Sequence, residues 1–223
     1  MLVGLRNSYQ RWAARRMFAR WSPIYEEEVA DNHYSAADRV AAATIPLLGA
    51  HKNPAIADIG IGTGLLAAQI KAAAPCMISG LDFSEDMMAV AVQKNTCNQV
   101  AKCDVGTDYW PLEDGSQDLV ISSGLLEYLT PEMLQHFLQQ SARILKPDGT
   151  LIFTYMPRQR DEKPIRFWRG HSGTYLIAGY VPDELTAFVR SQGFTISQHS
   201  EDFKGCIFQD GSSYPYRLIV AQK

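Results

Sequence analysis

Asp58-Ile59-Gly60-Ile61-Gly62-Thr63-Gly64 is the stretch on which the reading of this chain turns. The run Ala55-Ile56-Ala57-Asp58-Ile59 is short, apolar and followed by glycines, so it reads as a buried strand. Leu65 to Ala73 is helix-like and ends at Pro75. Three alternate glycines therefore join a strand to a helix. Glycine lets the backbone turn tightly and approach a ligand with no Cβ in the way. The helix that follows aims free N–H groups at the loop. Many α/β proteins carry such a loop for structural reasons alone, so the loop by itself leaves a ligand site and a plain turn both open.

Spacing outward from the loop sharpens the reading. Cys76 to Leu81 is a second strand, and Asp82 at its end lies 22 residues after Gly60. A carboxylate there can accept hydrogen bonds from both hydroxyls of a ribose. Ser84 can cap a helix running to about Lys94. Val100 to Cys103 is a short third strand ending at Asp104, whose carboxylate, with the Val105 N–H, can read the amino edge of adenine. In open α/β sheets ligands bind at these carboxyl ends. A nicotinamide-type G-x-G-x-x-G laid from Gly60 needs Gly or Ala at position 65, where Leu65 stands.

The pattern continues in the same alternation. Asp118 to Ser122 is a fourth strand, and Thr130-Pro131-Glu132 opens a helix with a cap and a proline in its first turn. Lys146-Pro147-Asp148-Gly149 is a turn, with Gly149 expected to supply φ > 0. Thr150 to Tyr155 is a fifth strand. Pro182 starts a helix that stops at Gly193, and two last strands fall near Phe194–His199 and Arg217–Ala221. Strands alternating with helices imply an α/β fold with a mostly parallel sheet and helices on both faces. The last two strands have no helix between them and pair antiparallel as an edge.

The first 50 residues read as helical pieces forming a lid, and residues 51–223 as the main domain. Ser22-Pro23 breaks the first piece, Glu26, Glu27 and Glu28 suit a helix first turn, and Ser35 caps a third helix ending near Leu48. Residues 1–20 carry Arg6, Arg11, Arg15, Arg16 and Arg20 and no acid. Their amphipathicity is poor, which favours a lid or docking helix, with a mitochondrial targeting segment as the alternative.

Composition bounds the partners. With 223 residues, 46% hydrophobic and 20% charged, the chain is an ordinary soluble domain. A net charge of −3 without a long basic run argues against a nucleic-acid partner. Cys76, Cys97, Cys103 and Cys206 show no metal spacing, so no metal site is expected and a reducing, cytoplasmic setting is. No run of 18 apolar residues offers a membrane span.

Residues 55–155 resemble the class I S-adenosylmethionine (SAM)-dependent methyltransferases, including the group similar to ubiquinone/menaquinone-biosynthesis methyltransferases. The matching pieces are the glycine loop, Gly80-Leu81-Asp82-Phe83-Ser84 with Met87, Cys103-Asp104-Val105, Asp118 to Gly124, and Ile144 to Thr150. The resemblance implies a Rossmann-like seven-stranded sheet with an antiparallel edge strand. It implies that Gly60, Ile61, Gly62, Thr63 and Gly64 approach the methionine part, with Asp58 and Ser84 also among the cofactor-binding residues. Asp82 would hold the ribose, Phe83 and Met87 would flank the base, and Asp104 and Val105 would contact adenine. Ser122 and Ser123 would sit near the sulfonium. Trp21 to Tyr25 resembles the aromatic segment that covers SAM in this group, with Tyr34 a further candidate. The product of transfer would be S-adenosylhomocysteine.

SAM carries an activated methyl, so the protein chiefly aligns reactants and excludes water, and a base is optional. Candidate bases are His33, Tyr128, His171 and Glu127. Many relatives carry His near the position of Tyr128; this chain does not. No Asn/Asp-Pro-Pro-Tyr/Phe stretch follows the fourth strand, which by resemblance disfavours exocyclic adenine and protein glutamine methylation. Residues 157–180 are the expected substrate-side insert. Within it Arg158, Arg160, Lys163, Arg166 and Arg169 interleave with Phe167 and Trp168, as a wall for an anionic or aromatic small molecule or as a solvated loop paired with Asp161 and Glu162. The expected activity is methyl transfer to oxygen, nitrogen or carbon of a small molecule. A protein or RNA methyltransferase and a non-transferring SAM-binding protein are the alternatives.

Overall fold

β1 (Ala55–Ile59) lies inside the sheet, with β2 (Met77–Asp82) on one side and β4 (Gln117–Ser122) on the other, both parallel to it. The register sets Asp58 opposite both Gly80 and Ile121. β3 (Gln99–Lys102) extends the sheet beyond β2, and β5 (Leu145–Tyr155) extends it beyond β4. β10 (Ser213–Gln222) runs antiparallel to β5, and β8 (Thr195–His199) antiparallel to β10. The order β3-β2-β1-β4-β5-β10-β8 is a doubly wound sheet with an antiparallel edge. β9 (Phe203–Ile207) pairs with the first half of β10 and makes an eighth strand beyond the seven expected. The computed structural model describes residues 2–50, 52–170, 173–208 and 211–223, and side chains outside 2–10, 13, 166–170 and 173–176.

Alternating burial builds the two layers. Ala57, Ile59, Val120, Leu151, Phe153 and Ile219 point to one face, where they meet Leu134, Phe137 and Leu138 of α6 (Pro131–Ile144) and Leu185 and Val189 of α7 (Pro182–Ser191). Ile56, Leu119, Ile121, Ile152 and Leu218 point to the other. There they meet α3 (Ala36–Leu48), α4 (Leu65–Ala73) and α5 (Glu85–Gln93). Each such side chain contributes about 1.5–3 kcal/mol when withdrawn from water. α6 buries Met133, Leu134, Phe137, Leu138, Ser141 and Ile144, a single stripe at helical spacing. Thr130 caps it by accepting from the Met133 N–H, and Ser84 caps α5 through the Met87 N–H.

Four local readings are corrected. α3 belongs to the sheet layer and not to the lid, because Ala37, Val40, Ala41 and Leu48 pack on the sheet face. Ser35 stands at its N-cap position, but its hydroxyl donates to the Lys204 carbonyl at 2.8 Å and caps nothing. In the turn before Thr150 it is Asp148, at φ 62°, that takes the left-handed conformation, not Gly149. A Cβ on Gly149 would stand 2.9 Å from Leu145 and from the Lys146 carbonyl, so close packing explains that glycine. Within 157–180, β6 (Ile165–Gly170) and β7 (Gly173–Ala178) form a separate antiparallel hairpin.

Candidate active site

The glycine loop leaves β1 with left-handed backbone at Gly60, Gly62 and Gly64, at φ 77°, 54° and 79°. The Gly62 N–H donates to Asp82 Oδ2 at 2.9 Å, and the Ser84 N–H donates to Asp82 Oδ1 at 2.9 Å. Asp82 is thus locked at the end of β2 with a backbone donor on each oxygen. A carboxylate accepts about four hydrogen bonds, so acceptor capacity remains. Burial pushes its carboxyl up, and the N–H groups of Ser84, Gly62 and Phe83 hold it down. Asp58 is deeper: burial, then the Asp82 charge, push its carboxyl up to about 8. Asp58 Oδ2 and Thr63 Oγ1 are buried without a hydrogen-bond partner among the described residues. Buried polar groups nearly always have partners, so two orphaned oxygens beside one loop mark a place built for donors.

The N-terminal helices close over these strand ends. α1 (Leu2–Trp21) buries Ala14 and Met17, and Phe18 meets Phe83 at 5.9 Å and Tyr128 at 5.2 Å, edge to face. Arg15 stands over the Phe83 ring at 5.8 Å, and Arg11 and Arg15 lie 3.6 and 3.5 Å from Asp104 Oδ2. α2 (Tyr25–Asp31) begins with Tyr25, whose ring meets Trp21 at 4.7 Å. Burial first, then the carboxyls of Glu127 and Asp82, push the Tyr25 phenol up. Tyr25 therefore faces both acids from the lid. Tyr34 closes the neighbouring side, with Oη 3.4 Å from Ser123 Oγ.

Glu127 sits in a 3-10 turn, Leu126–Tyr128, beyond the end of β4 and is 4% exposed. Tyr216 of β10 donates its hydroxyl to Glu127 Oε1 at 2.5 Å, while Oε2 has no partner among the described residues. Burial pushes the Glu127 carboxyl up to about 7, against the Tyr216 hydroxyl, which holds it down.

Comparison with known proteins fits this architecture. Residues 56–149 match the family described as methyltransferase domain. Human methyltransferase-like protein 27 is 31% identical over 110 residues, 49% of this chain and 45% of that protein. The demethylmenaquinone methyltransferase of Chlorobaculum tepidum is 26% identical over 234 residues, covering 96% of this chain and 93% of that protein. Residues 56–149 thus form a methyltransferase domain of the SAM-dependent kind. Among solved structures of this methyltransferase fold is the Burkholderia thailandensis 1,6-didemethyltoxoflavin-N1-methyltransferase with bound 1,6-didemethyltoxoflavin and S-adenosylhomocysteine. Its TM-score is 0.72 at 18% identity, over 96% of this chain and 88% of that one. The chain spans less than half the length of the human methyltransferase relative.

Against the methyltransferase pattern, the expected site residues separate into two groups. Asp58, Gly60, Gly62, Thr63, Asp82, Phe83, Asp104, Tyr25 and Tyr34 converge on the carboxyl ends of β1 to β4. Met87 is buried with its Cε 3.8 Å from where a Gly62 Cβ would lie. Others have structural duties. Ile61 is buried against Gly80, and a Cβ on Gly64 would lie 2.1 Å from Thr96 Oγ1. Ser84 is the α5 cap. Val105 is buried, its carbonyl accepting from the Trp110 indole. Ser122, expected beside the sulfonium, instead donates its hydroxyl to the Ile59 carbonyl at 2.8 Å, because a fully buried hydroxyl on a central strand takes the nearest acceptor.

Of the candidate bases, Tyr128 lies under Phe18 of the lid. His33 is exposed in the turn before α3, at φ 44°. His171 lies outside the described residues. Arg158 spends its guanidinium on the carbonyls of Gly179, Gln159 and Glu162, and Arg160 pairs with Glu184. Both are held within the protein, by these carbonyls and by Glu184, where the loop reading expected Asp161 and Glu162. Tyr216 and Tyr180 were not legible as site residues, and only the tyrosine pair of Tyr214-Pro215-Tyr216 in a strand could have drawn attention.

Proposed function

We propose that this protein transfers a methyl group from SAM to an oxygen, nitrogen or carbon atom of a small molecule. The observation that carries the proposal is the pairing of the glycine loop with Asp82 beside the orphaned oxygens of Asp58 and Thr63. The residues fit the cofactor. Asp82 keeps acceptor capacity for ribose hydroxyls, and Asp58 and Thr63 can accept from an ammonium. A Cβ on Gly62 would meet only ordinary contacts, Met87 Cε at 3.8 Å and the Gly60 carbonyl at 4.0 Å, so the protein does not crowd that position. Phe83 offers a ring beside Asp104 for a flat base. When bound, SAM supplies a methyl group already activated on a positively charged sulfur.

The chain's own share is enclosure and alignment. α1 packs against both α5 and β7, so the strand ends lie beneath a roof of helix and hairpin. Tyr25 and Tyr34 close the side nearest β4. Strand ends covered by a helix, a hairpin and tyrosines suit a small acceptor better than a folded macromolecule. Among the described residues no helix is long and apolar enough to cross a membrane.

The test is transfer of labelled methyl from SAM into a cell extract divided by size. Label in the small-molecule fraction is the expected result. Label confined to protein or RNA would overturn the small acceptor, and SAM binding with no label anywhere would identify a non-transferring protein.

A further inference from the structure

We infer that Glu127, positioned by Tyr216, takes the proton from a neutral, flat acceptor whose nucleophilic atom is an O–H or N–H. This rests on the methyl transfer proposed above and names its acceptor class. Glu127 is buried, with Oε1 held by the Tyr216 hydroxyl at 2.5 Å and Oε2 lacking a donor among the described residues. Buried polar atoms nearly always have a partner, and an acceptor's own O–H or N–H supplies the missing donor.

The turn that presents Glu127 is fixed. Tyr180 Oη lies 3.0 and 2.9 Å from the carbonyls of Leu126 and Leu129, on either side of the acid. Tyr25 and Tyr34 face it from the lid, Tyr216 from β10, Tyr180 from beyond β7, and each phenol is pushed up by burial and then by the Glu127 charge. Asp82, Glu26 and Cys206 also push the Tyr25 phenol up, and Tyr128 that of Tyr216. Among the described side chains these groups include no cation. Tyrosine rings favour a flat partner. A second carboxylate beside charged Glu127 would be repelled, which favours a neutral acceptor over an acid.

The proton balance is simple. The acceptor's O or N lone pair forms its bond to the methyl carbon as the carbon–sulfur bond breaks, and that bond's electron pair stays on sulfur. The O–H or N–H proton passes to Glu127 Oε2, leaving a neutral carboxylic acid that returns the proton to water. Glu127's elevated affinity for a proton, near neutrality, suits a base that must both accept and release.

The experiment uses naphthol and naphthoate as fluorescent probes on the full chain saturated with S-adenosylhomocysteine. Wild-type protein should bind naphthol at least about tenfold more tightly than naphthoate above pH 7. The preference should fade as pH falls and Glu127 takes up its proton. Glu127→Gln should lose the preference while keeping S-adenosylhomocysteine affinity by calorimetry. Tyr216→Phe retains the acid but removes the donor that favours its charged form, so the midpoint of discrimination should move up by about one pH unit. Equal binding of the two probes by wild type, or a Glu127→Gln protein that still discriminates, overturns the proton acceptor. An unmoved midpoint in Tyr216→Phe overturns the positioning role. A wild-type protein that refuses S-adenosylhomocysteine sinks the transfer reading itself and the proton acceptor with it, whereas binding without discrimination sinks only the latter.

Discussion

Arg15 stands 3.5 Å from Asp104, so charge ties the N-terminal helix to the end of β3. Arg11 joins the same carboxylate oxygen at 3.6 Å and donates to Thr107 Oγ1 at 3.0 Å. Burial pushes the Asp104 carboxyl up, and Arg11 and Arg15 partly offset that. Both arginines are well exposed, and such pairs contribute about 0–1 kcal/mol and weaken with salt. They hold a lid rather than the fold. Replacing both by alanine should lower the melting temperature by no more than about 4 °C. S-adenosylhomocysteine should leave several-fold faster in stopped flow, and high salt should reproduce the effect in wild type. An unchanged release rate would show that α1 does not gate the site.

Asp82 anchors the loop and, in the proposed function, the ribose. Asp82→Ala removes the acceptor of the Gly62 and Ser84 N–H groups along with the remaining acceptor directions. Hydrogen bonds to a charged partner contribute about 1.5–3 kcal/mol each. SAM affinity should therefore fall by about 10- to 100-fold or more in calorimetry. Affinity within threefold of wild type would remove Asp82 from the site.

The sheet was legible because its signals are local. Ala55–Ile59, the glycines and Leu65–Ala73 sit side by side in the chain, and the next two strands lead into Asp82 and Asp104. The hairpin β6–β7 was not, because Arg166, Phe167, Trp168 and Arg169 mix charge and ring without alternation, and only backbone pairing reveals the strands. β9 is equally hidden, four of its five residues being only partly or not buried, with Gly205 pressed against the Tyr216 ring. In the site, Asp82 could be placed by its distance from Gly60. Tyr216 could not be placed against Glu127, since 89 positions separate them and neither carries a periodic signal. Ser122 shows the converse: a hydroxyl at a promising position is claimed by the adjacent strand.

Gly62 and Gly64 are present for different reasons, and alanine should separate them. At Gly64 a Cβ would stand 2.1 Å from Thr96 Oγ1 with φ at 79°, so Gly64→Ala combines overpacking with a left-handed strain. About 2–4 kcal/mol of stability should be lost, visible as a lower urea midpoint without any ligand. At Gly62 the nearest atom is Met87 Cε at 3.8 Å, so only the backbone strain applies, about 1–2 kcal/mol. Gly62→Ala should thus fold nearly as well as wild type yet bind SAM poorly, because its methyl fills the space left for the cofactor. If Gly62→Ala binds normally, the open space there serves no ligand.

Asp58 sets stability against binding, and the sign follows from its proton. The unfolded chain releases this proton near 3.8, while the folded protein holds it to about 8. Between those values the native state binds more protons, so stability falls as pH rises, and the loss is complete above about 8. Asp58→Asn carries no such charge. In the absence of ligand it should melt higher than wild type at pH 8.5, by about 1–3 kcal/mol for a buried group relieved of desolvation, and the advantage should shrink toward pH 4. With SAM present the order should reverse, since an ammonium beside Asp58 would pay back the buried charge that asparagine lacks. Differential scanning calorimetry with and without SAM at both pH values tests this. An Asn variant that gains nothing at high pH would show that Asp58 is already neutralised within the protein, and one that keeps full SAM affinity would show that the orphaned oxygen faces no cofactor donor.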